Sequence, residues 1–236
     1  MNILVRDVIA IYDGLKSGEK VNLQPLRIQF KDYASWELEN IKNENVSKNY
    51  WLQKLSGTLP VLELASDNTR PVIPTYNGNE ISIEISKENS QQFRQLLESK
   101  GATLFMGVMS LVYTLLYKYS GQDDIVLGAP VSGRKHADLE EQIGFYVNTL
   151  ALRQHIDGAS GFLALLQHVK ENILNGYQHQ SYPFDLLVEE LAVQRDPSRS
   201  PLFDVMVVFQ DQEKERATKL ENITIEEAPL EKTQSK

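Results

Sequence analysis

An apolar run of 14 residues, LFMGVMSLVYTLLY at positions 104–117, must be buried if this chain is to fold in water. The run is too short for a membrane span, which needs about 20 apolar residues, and Lys118 follows it directly. Its apolar residues cover most of the circumference of a helix, and Thr103 can cap the first turn. The sequence therefore predicts a core helix over residues 104–119.

Strands and amphipathic helices are predicted around this central helix. Buried strands are predicted over residues 124–131 and 145–156, and a further strand over 203–210. Ile81, Ile83 and Ile85 alternate with polar residues as in a half-buried strand. Further helices are predicted over residues 2–15, between Lys31 and Gly57, from Ser86 to Gly101, from Ser160 to Tyr177 and over 184–192, and a short strand-like stretch lies at 223–225. Strands mixed with long helices predict a helix-covered sheet, an α/β (α+β) fold.

Composition excludes several classes of function. The 24 basic and 32 acidic residues give a net charge of −8, which argues against non-specific nucleic-acid binding. The absence of cysteine excludes disulfides, thiolate metal sites and a cysteine nucleophile. Arg6 and Asp7 interrupt the apolar start where a signal peptide needs an unbroken core. We therefore expect a soluble, cytoplasmic protein with neither a membrane nor a nucleic acid as partner.

The four histidines, His136, His155, His168 and His179, do not have the spacing of a helical two-histidine metal site, and we expect no metal. His168 is interpreted as a surface or half-buried helix residue. His179 stands at a predicted helix end just before Tyr182 and Pro183, where an imidazole has two interpretations. It is either a general base or part of a helix end and turn.

Four short stretches resemble the core motifs of a known family. They are KDYASW at 31–36, IGFYVNTL at 143–150, HQSYPFD at 179–185 and RDPSRSPLF at 195–203. In this order and at these separations they resemble the later motifs of the condensation domain of nonribosomal peptide synthetases. The resemblance extends over essentially the whole chain.

The resemblance implies a fold and an activity. Condensation domains have two lobes similar to chloramphenicol acetyltransferase, each an α/β two-layer sandwich with helices covering a mixed sheet, and a tunnel between the lobes. The implied partners are peptidyl carrier proteins and adjacent synthetase domains. No cofactor is bound by the domain itself, because the carrier proteins deliver 4'-phosphopantetheine arms. The acceptor amine on one arm attacks the donor thioester on the other and forms an amide bond.

The H-H-x-x-x-D-G signature of that family does not occur in this sequence. Neither Asp13-Gly14 nor Asp157-Gly158 is preceded by the two histidines. We therefore expect no catalytic residue of that motif here and an isolated chain that is inactive. The expected organisation is a remnant helix of the N-terminal lobe at 1–19, an inter-lobe connection at 20–50, the C-terminal lobe at 51–210 and a truncated tail at 211–236. An uncovered N-terminal helix, cut from its missing lobe, favours self-association.

The resemblance singles out residues that either line the tunnel or stabilise the lobe. Asn148 and Thr149 lie in a predicted buried strand, where Asn148 either braces the tunnel wall or satisfies the hydrogen-bonding groups of a strand edge. Pro183 and Phe184, with Tyr182, are interpreted as fixing a turn. Arg199 either contacts a phosphopantetheine arm or a facing carboxylate, or forms an ion pair with Asp196 or Asp204. Trp36 is expected to pack between helices rather than to contact substrate.

Two other functions stay open at this point. A non-catalytic condensation-like module could recruit carrier proteins or tailoring enzymes. Epimerisation and heterocyclisation domains belong to the same superfamily, although the quoted motifs match peptide-forming members best.

Overall fold

A computed structural model describes residues 2–18, 20–21, 23–73, 75, 77–193 and 196–210. In chain order the elements are α1 (Asn2–Ser17), α2 (Phe30–Ile41), α3 (Asn45–Lys54), α4 (Lys87–Ser99), α5 (Leu104–Ser120), β1 (Asp124–Val131), a 3-10 helix (Ala137–Leu139), β2 (Asn148–His155), α6 (Phe162–Gln178), α7 (Phe184–Glu190) and β3 (Val205–Met206). The predicted stretch at 223–225 lies outside the described residues.

The described residues divide into two compact units. Unit 1 contains residues 2–43 and 132–147 together with Gln210, and unit 2 contains residues 44–131 and 148–209. Helices α1 and α2 and the 3-10 helix belong to unit 1, and all other elements belong to unit 2.

A three-stranded mixed sheet forms the centre of unit 2, in the order β2-β1-β3. Strand β1 is antiparallel to β2, with Asp124 opposite His155 at one end and Val131 opposite Asn148 at the other. Strand β3 is parallel to β1, with Val205 opposite Leu127. The middle of β1 is buried on both faces, which explains why its sequence is a continuous apolar run rather than an alternating one.

The central helix α5 packs against α6, and α6 packs on β2. The core contains the fully buried side chains Trp51, Met109, Tyr113, Leu127, Leu150, Leu152 and Ile173. The hydroxyl of Tyr113 donates to the carbonyl oxygen of Leu152 at 2.6 Å, so its polar group is satisfied inside the core. The prediction of a core helix over residues 104–119 is confirmed, and the helix continues to Ser120.

The helix boundaries follow local capping chemistry. Ser86 and Thr103 accept hydrogen bonds from the backbone N–H groups of Asn89 and Met106, as expected of N-caps. The region predicted as helical between Lys31 and Gly57 contains two helices, α2 and α3, separated by residues 42–44. Helix α6 begins at Phe162 rather than Ser160, because the Ser160 hydroxyl bonds to Asp157 in the preceding turn.

The predicted strand at Ile81, Ile83 and Ile85 is wrong. These side chains are 86%, 85% and 66% exposed, and no residue of the described chain forms a ladder with them. Alternation alone does not make a strand, because its backbone groups also need a partner. Two further strand predictions are too long: β2 starts at Asn148 rather than 145, and β3 covers only Val205–Met206.

Helix α1 of unit 1 confirms the predicted N-terminal helix, and Gly18, with a φ of +71°, follows its last turn. Its apolar side chains Leu4, Val8 and Leu15 are exposed. No single helix in the described ranges is long and apolar enough to cross a membrane. Helices α4 and α5 together have the length and apolar composition of a membrane span, but they are bent by 105° relative to each other.

Candidate functional site

The side chain of Asn148 joins the start of β2 to the segment before α7. Its amide nitrogen donates to the carbonyl oxygens of Gln180 and Tyr182 at 2.9 and 2.8 Å. Its Oδ1 accepts the backbone N–H groups of Phe184 at 3.0 Å and of Thr149 at 2.9 Å. Both donors and the acceptor of this half-buried amide are therefore satisfied by the backbone of unit 2.

The segment at 179–184 forms the turn between α6 and α7. Pro183 is the N-cap residue of α7, where its missing N–H costs nothing and its fixed φ fits the entry. Tyr182 is buried, and the ring of Phe184 lies 5.6 Å from that of Phe203. Burial raises the pKa of the Tyr182 hydroxyl.

His179 is the C-cap residue of α6, and one face of its imidazole ring packs against another aromatic side chain. The ring stacks on Tyr50 with centroids 4.2 Å apart, and the backbone carbonyl of His179 accepts the indole N–H of the buried Trp51 at 2.8 Å. The Nδ1 atom lies 3.2 Å from the hydroxyl oxygen of Ser47. The segment therefore docks on α3 through both its main chain and its imidazole.

A carboxylate and two hydroxyls surround the Nδ1 side of this imidazole. Glu44 accepts hydrogen bonds from Ser47 at 2.5 Å and from Ser181 at 3.0 Å. The sequence reasoning missed Glu44, Ser47 and Ser181. Only Ser181 lies inside a family-like stretch, and it bonds to a carboxylate 137 positions away.

Arg199 forms an ion pair rather than presenting a free guanidinium. Its Nη1 atom lies 2.5 Å from a carboxylate oxygen of Asp204 and donates to the carbonyl of Leu62 at 3.0 Å. Asp196 lies 3.9 Å from its Nε, and Arg70 approaches Asp204 at 3.4 Å. Asp196, Arg199 and Asp204 line a cavity of about 150 Å³ whose other walls are mainly apolar.

The aromatic residues of KDYASW and IGFYVNTL meet in unit 1. The ring of Tyr146 lies 4.7 Å from that of Tyr33 and 5.2 Å from that of Phe30, and the Arg134 guanidinium stacks 4.2 Å above it. Burial is the main cause that raises the pKa of Tyr33, and a hydrogen bond to Glu37 adds to it. Two family-like stretches thus form one cluster.

Trp36 does not pack between helices, and that expectation is wrong. Its side chain is 60% exposed and lies at the edge of the aromatic cluster, 5.8 Å from Tyr33.

The structure separates the predicted site residues into two places within unit 2. Asn148, Thr149, His179, Pro183 and Phe184 lie together around the turn between α6 and α7. Arg199 lies at the ion-pair cavity instead. His136, His155 and His168 are exposed, and no group of three or more potential metal ligands forms within the described residues.

Comparison with known proteins identifies relatives of the whole chain. The family model of the condensation domain matches residues 1–236. Bacitracin synthase 1 of Bacillus licheniformis is 39% identical over 210 residues, which are 88% of this chain and 4% of that protein. Tyrocidine synthase 3 of Brevibacillus parabrevis is 40% identical over 220 residues, 92% of this chain and 3% of that protein. The chain thus spans a small fraction of these relatives.

Solved structures agree with this result. The X-domain from teicoplanin biosynthesis is 27% identical and superimposes with a TM-score of 0.81, covering 87% of this chain and 47% of that one. The same domain in a complex with OxyB gives a TM-score of 0.80. The α/β fold predicted from the resemblance, with helices on a mixed sheet as in the chloramphenicol acetyltransferase-like domains, is confirmed.

Proposed function

Because the chain belongs to the condensation-domain family of nonribosomal peptide synthetases, we propose that it contributes a lobe to an enzyme that forms amide bonds. In this reaction the amine of an acceptor on one carrier protein attacks the thioester carbonyl of a donor on another. The C–N bond forms and the C–S bond breaks, while the amine loses one N–H proton and the departing sulfur gains a proton to leave as a thiol. The match over residues 1–236 is the observation that carries the proposal.

The contribution of this chain is positional. The Asn148 network and the aromatic cluster around Tyr146 give their two units fixed local geometry. Orienting an amine against a thioester can supply roughly 7–11 kcal/mol of the activation barrier. Proton transfer, which adds about 10²–10⁴ in rate, is assigned to the histidine motif that this sequence lacks.

A condensation assay with donor and acceptor loaded on peptidyl carrier proteins tests the proposal. We expect the 236-residue chain alone to form no product, and the same chain fused to a segment carrying H-H-x-x-x-D-G to form the amide. Product from the chain alone would refute the assignment of roles. No product from a well-folded fusion with several donor and acceptor pairs would refute the proposed function.

A second candidate is a recruiting module without condensation activity. It is supported by the likeness to the X-domain, which has been captured in a complex with OxyB. Pull-down with loaded carrier proteins distinguishes the two. If the chain binds carrier proteins but its fusion to a segment carrying H-H-x-x-x-D-G forms no amide, the recruiting module is favoured.

The exposed apolar face of α1 has two proposed partners, a further lobe of the enzyme or a second copy of this chain. Leu4 and Leu15 on this face are 49% and 75% exposed, and a contiguous apolar surface of this kind favours association. Light scattering of the isolated chain separates the two: a concentration-dependent dimer supports self-association, and a strict monomer supports the further lobe.

A further inference from the structure

The imidazole of His179 stands at one end of a chain of polar side chains that begins at Glu44. The Ser47 hydroxyl lies between them, 2.5 Å from a Glu44 oxygen and 3.2 Å from His179 Nδ1. Ser47 is only 2% exposed, so it is closed to substrates and cannot act as a nucleophile. We call Glu44, Ser47, Ser181 and His179 the relay cluster.

The hydrogens of the relay cluster can be counted. An ionised carboxylate only accepts hydrogen bonds, and a serine hydroxyl has one hydrogen to donate. Ser47 and Ser181 both donate to Glu44, at 2.5 and 3.0 Å. Ser47 has then no hydrogen left for the imidazole, so the contact with His179 requires the hydrogen to be on Nδ1.

This count determines which nitrogen is basic. With its hydrogen on Nδ1, a neutral imidazole carries its lone pair on Nε2. Within the described residues, Nε2 of His179 has no hydrogen-bond partner, and the ring is half-buried. The stacking on Tyr50 and the capping position at the end of α6 hold the ring in this orientation.

We propose that Glu44 and Ser47 hold His179 as the Nδ1–H tautomer and so make Nε2 a proton-accepting site for an O–H, N–H or S–H group of a small molecule. In the transfer the H–X bond breaks, its electron pair stays on X, and an N–H bond forms at Nε2. The resulting imidazolium is stabilised by the Ser47 dipole and, behind it, by the Glu44 carboxylate. This site does not depend on the proposed amide-forming activity.

Nitrogen-detected NMR of the histidine rings tests the tautomer directly. In neutral imidazoles in water the Nε2–H form is the commoner one, so a dominant Nδ1–H signal reports the relay cluster. A His179→Gln variant assigns the signal among the four histidines. We expect Nδ1–H for His179 in the full chain when the ring is neutral. A dominant Nε2–H signal overturns the proposal.

Two serine variants separate the relay from general packing. Ser47→Ala removes the acceptor of the Nδ1 hydrogen, and we expect the tautomer ratio to move towards Nε2–H by about fivefold, the equivalent of ~1 kcal/mol. Ser181→Ala removes the other hydroxyl that donates to the Glu44 carboxylate but leaves the contact between Ser47 and His179 intact. The tautomer ratio of His179 should therefore not change. An unchanged ratio in Ser47→Ala, with Ser181→Ala folded alike, overturns the proposal. If Ser47→Ala does not fold, the wild-type spectrum still decides.

Diethyl pyrocarbonate tests whether Nε2 is an accessible base, because it acylates unprotonated imidazole nitrogens. Peptide mass spectrometry should find His179 modified in the folded full chain, with the exposed His168 as the matched reference. Modification of His168 without any at His179 would show that Nε2 is closed, which overturns the proton-accepting site.

Discussion

The Oδ1 atom of Asn148 accepts the backbone N–H of Phe184 at 3.0 Å, across 36 positions of the sequence. Asn148, in the IGFYVNTL stretch, thereby fixes the position of Phe184, which is the first residue of α7 and lies in the HQSYPFD stretch. The amide nitrogen of Asn148 holds the carbonyls of Gln180 and Tyr182 in the same turn, so the side chain acts as a template for the backbone at 180–184.

Asn148→Asp should destabilise unit 2 by about 2–4 kcal/mol, because it replaces a double donor with a carboxylate oxygen facing two carbonyls. The free energy of unfolding in urea, followed by circular dichroism, measures this. Asn89→Asp in the exposed first turn of α4 is the matched control and should be neutral or slightly stabilising. Equal effects of the two changes would contradict the template role.

The ion pair between Arg199 and Asp204 should show energetic coupling, since both side chains are mostly shielded from solvent. A double-mutant cycle of Arg199→Gln and Asp204→Asn is expected to give a coupling energy of about 1–3 kcal/mol. Arg94→Gln, at an exposed position of α4, should change stability by less than about 0.5 kcal/mol. A coupling energy near zero would mean that the pair is only a surface contact.

Gly133→Ala should cost more than Gly121→Ala. Both glycines have a left-handed φ, +67° and +72°, so both substitutions introduce backbone strain of about 1–3 kcal/mol. A Cβ at Gly133 would also clash with the carbonyl oxygen of Tyr146, whereas nothing lies within 4 Å of a Cβ at Gly121. Thermal unfolding of the two variants compares them, and equal costs would contradict the close approach.

Ile83→Thr should leave the stability within about 0.5 kcal/mol of wild type, because the side chain is already exposed. Ile173→Thr makes the same chemical change inside the core and should cost about 2–4 kcal/mol. Urea unfolding checks both variants. A large loss for Ile83→Thr would show that the segment is buried in solution.

Acid should weaken the fold partly through Asp157 and Asp196. Hydrogen bonds from the side chain of Ser160 and the backbone of Ala159 lower the pKa of Asp157, and bonds from the side chain and backbone of Ser198 lower that of Asp196. A lowered pKa in the folded state contributes stability above the unfolded pKa, and this contribution is lost as the pH falls through the folded pKa.

The double variant Asp157→Asn, Asp196→Asn should therefore lose less stability than wild type when the pH is lowered from about 5 to about 2. Urea unfolding across this range measures the slope. Asp67→Asn, at an exposed position with no hydrogen bond to a described residue, is the control and should retain the wild-type slope. An unchanged slope in the double variant would contradict this source of acid sensitivity.

Signals between residues close in sequence are sufficient to predict where the helices lie. Ser86 and Thr103 accept the capping bonds that their positions predict, and Asp124–Val131 is a strand with the predicted bounds. Capping and burial periodicity involve residues within one or two turns of each other, so the sequence reveals them directly. The prediction at Ile81, Ile83 and Ile85 is wrong because strand pairing depends on a distant partner, which alternation cannot supply.

Family membership and the positions of the helices could be read from the residues alone, because motifs, caps and apolar periods are local or fixed in order along the chain. The partners of Asn148, the pairing of Arg199 with Asp204 and the contact of His179 with Ser47 were decided by tertiary structure. Each depends on which backbone or side-chain groups from another element come within about 3 Å, and such short-range contacts become defined only when the core has brought the elements together.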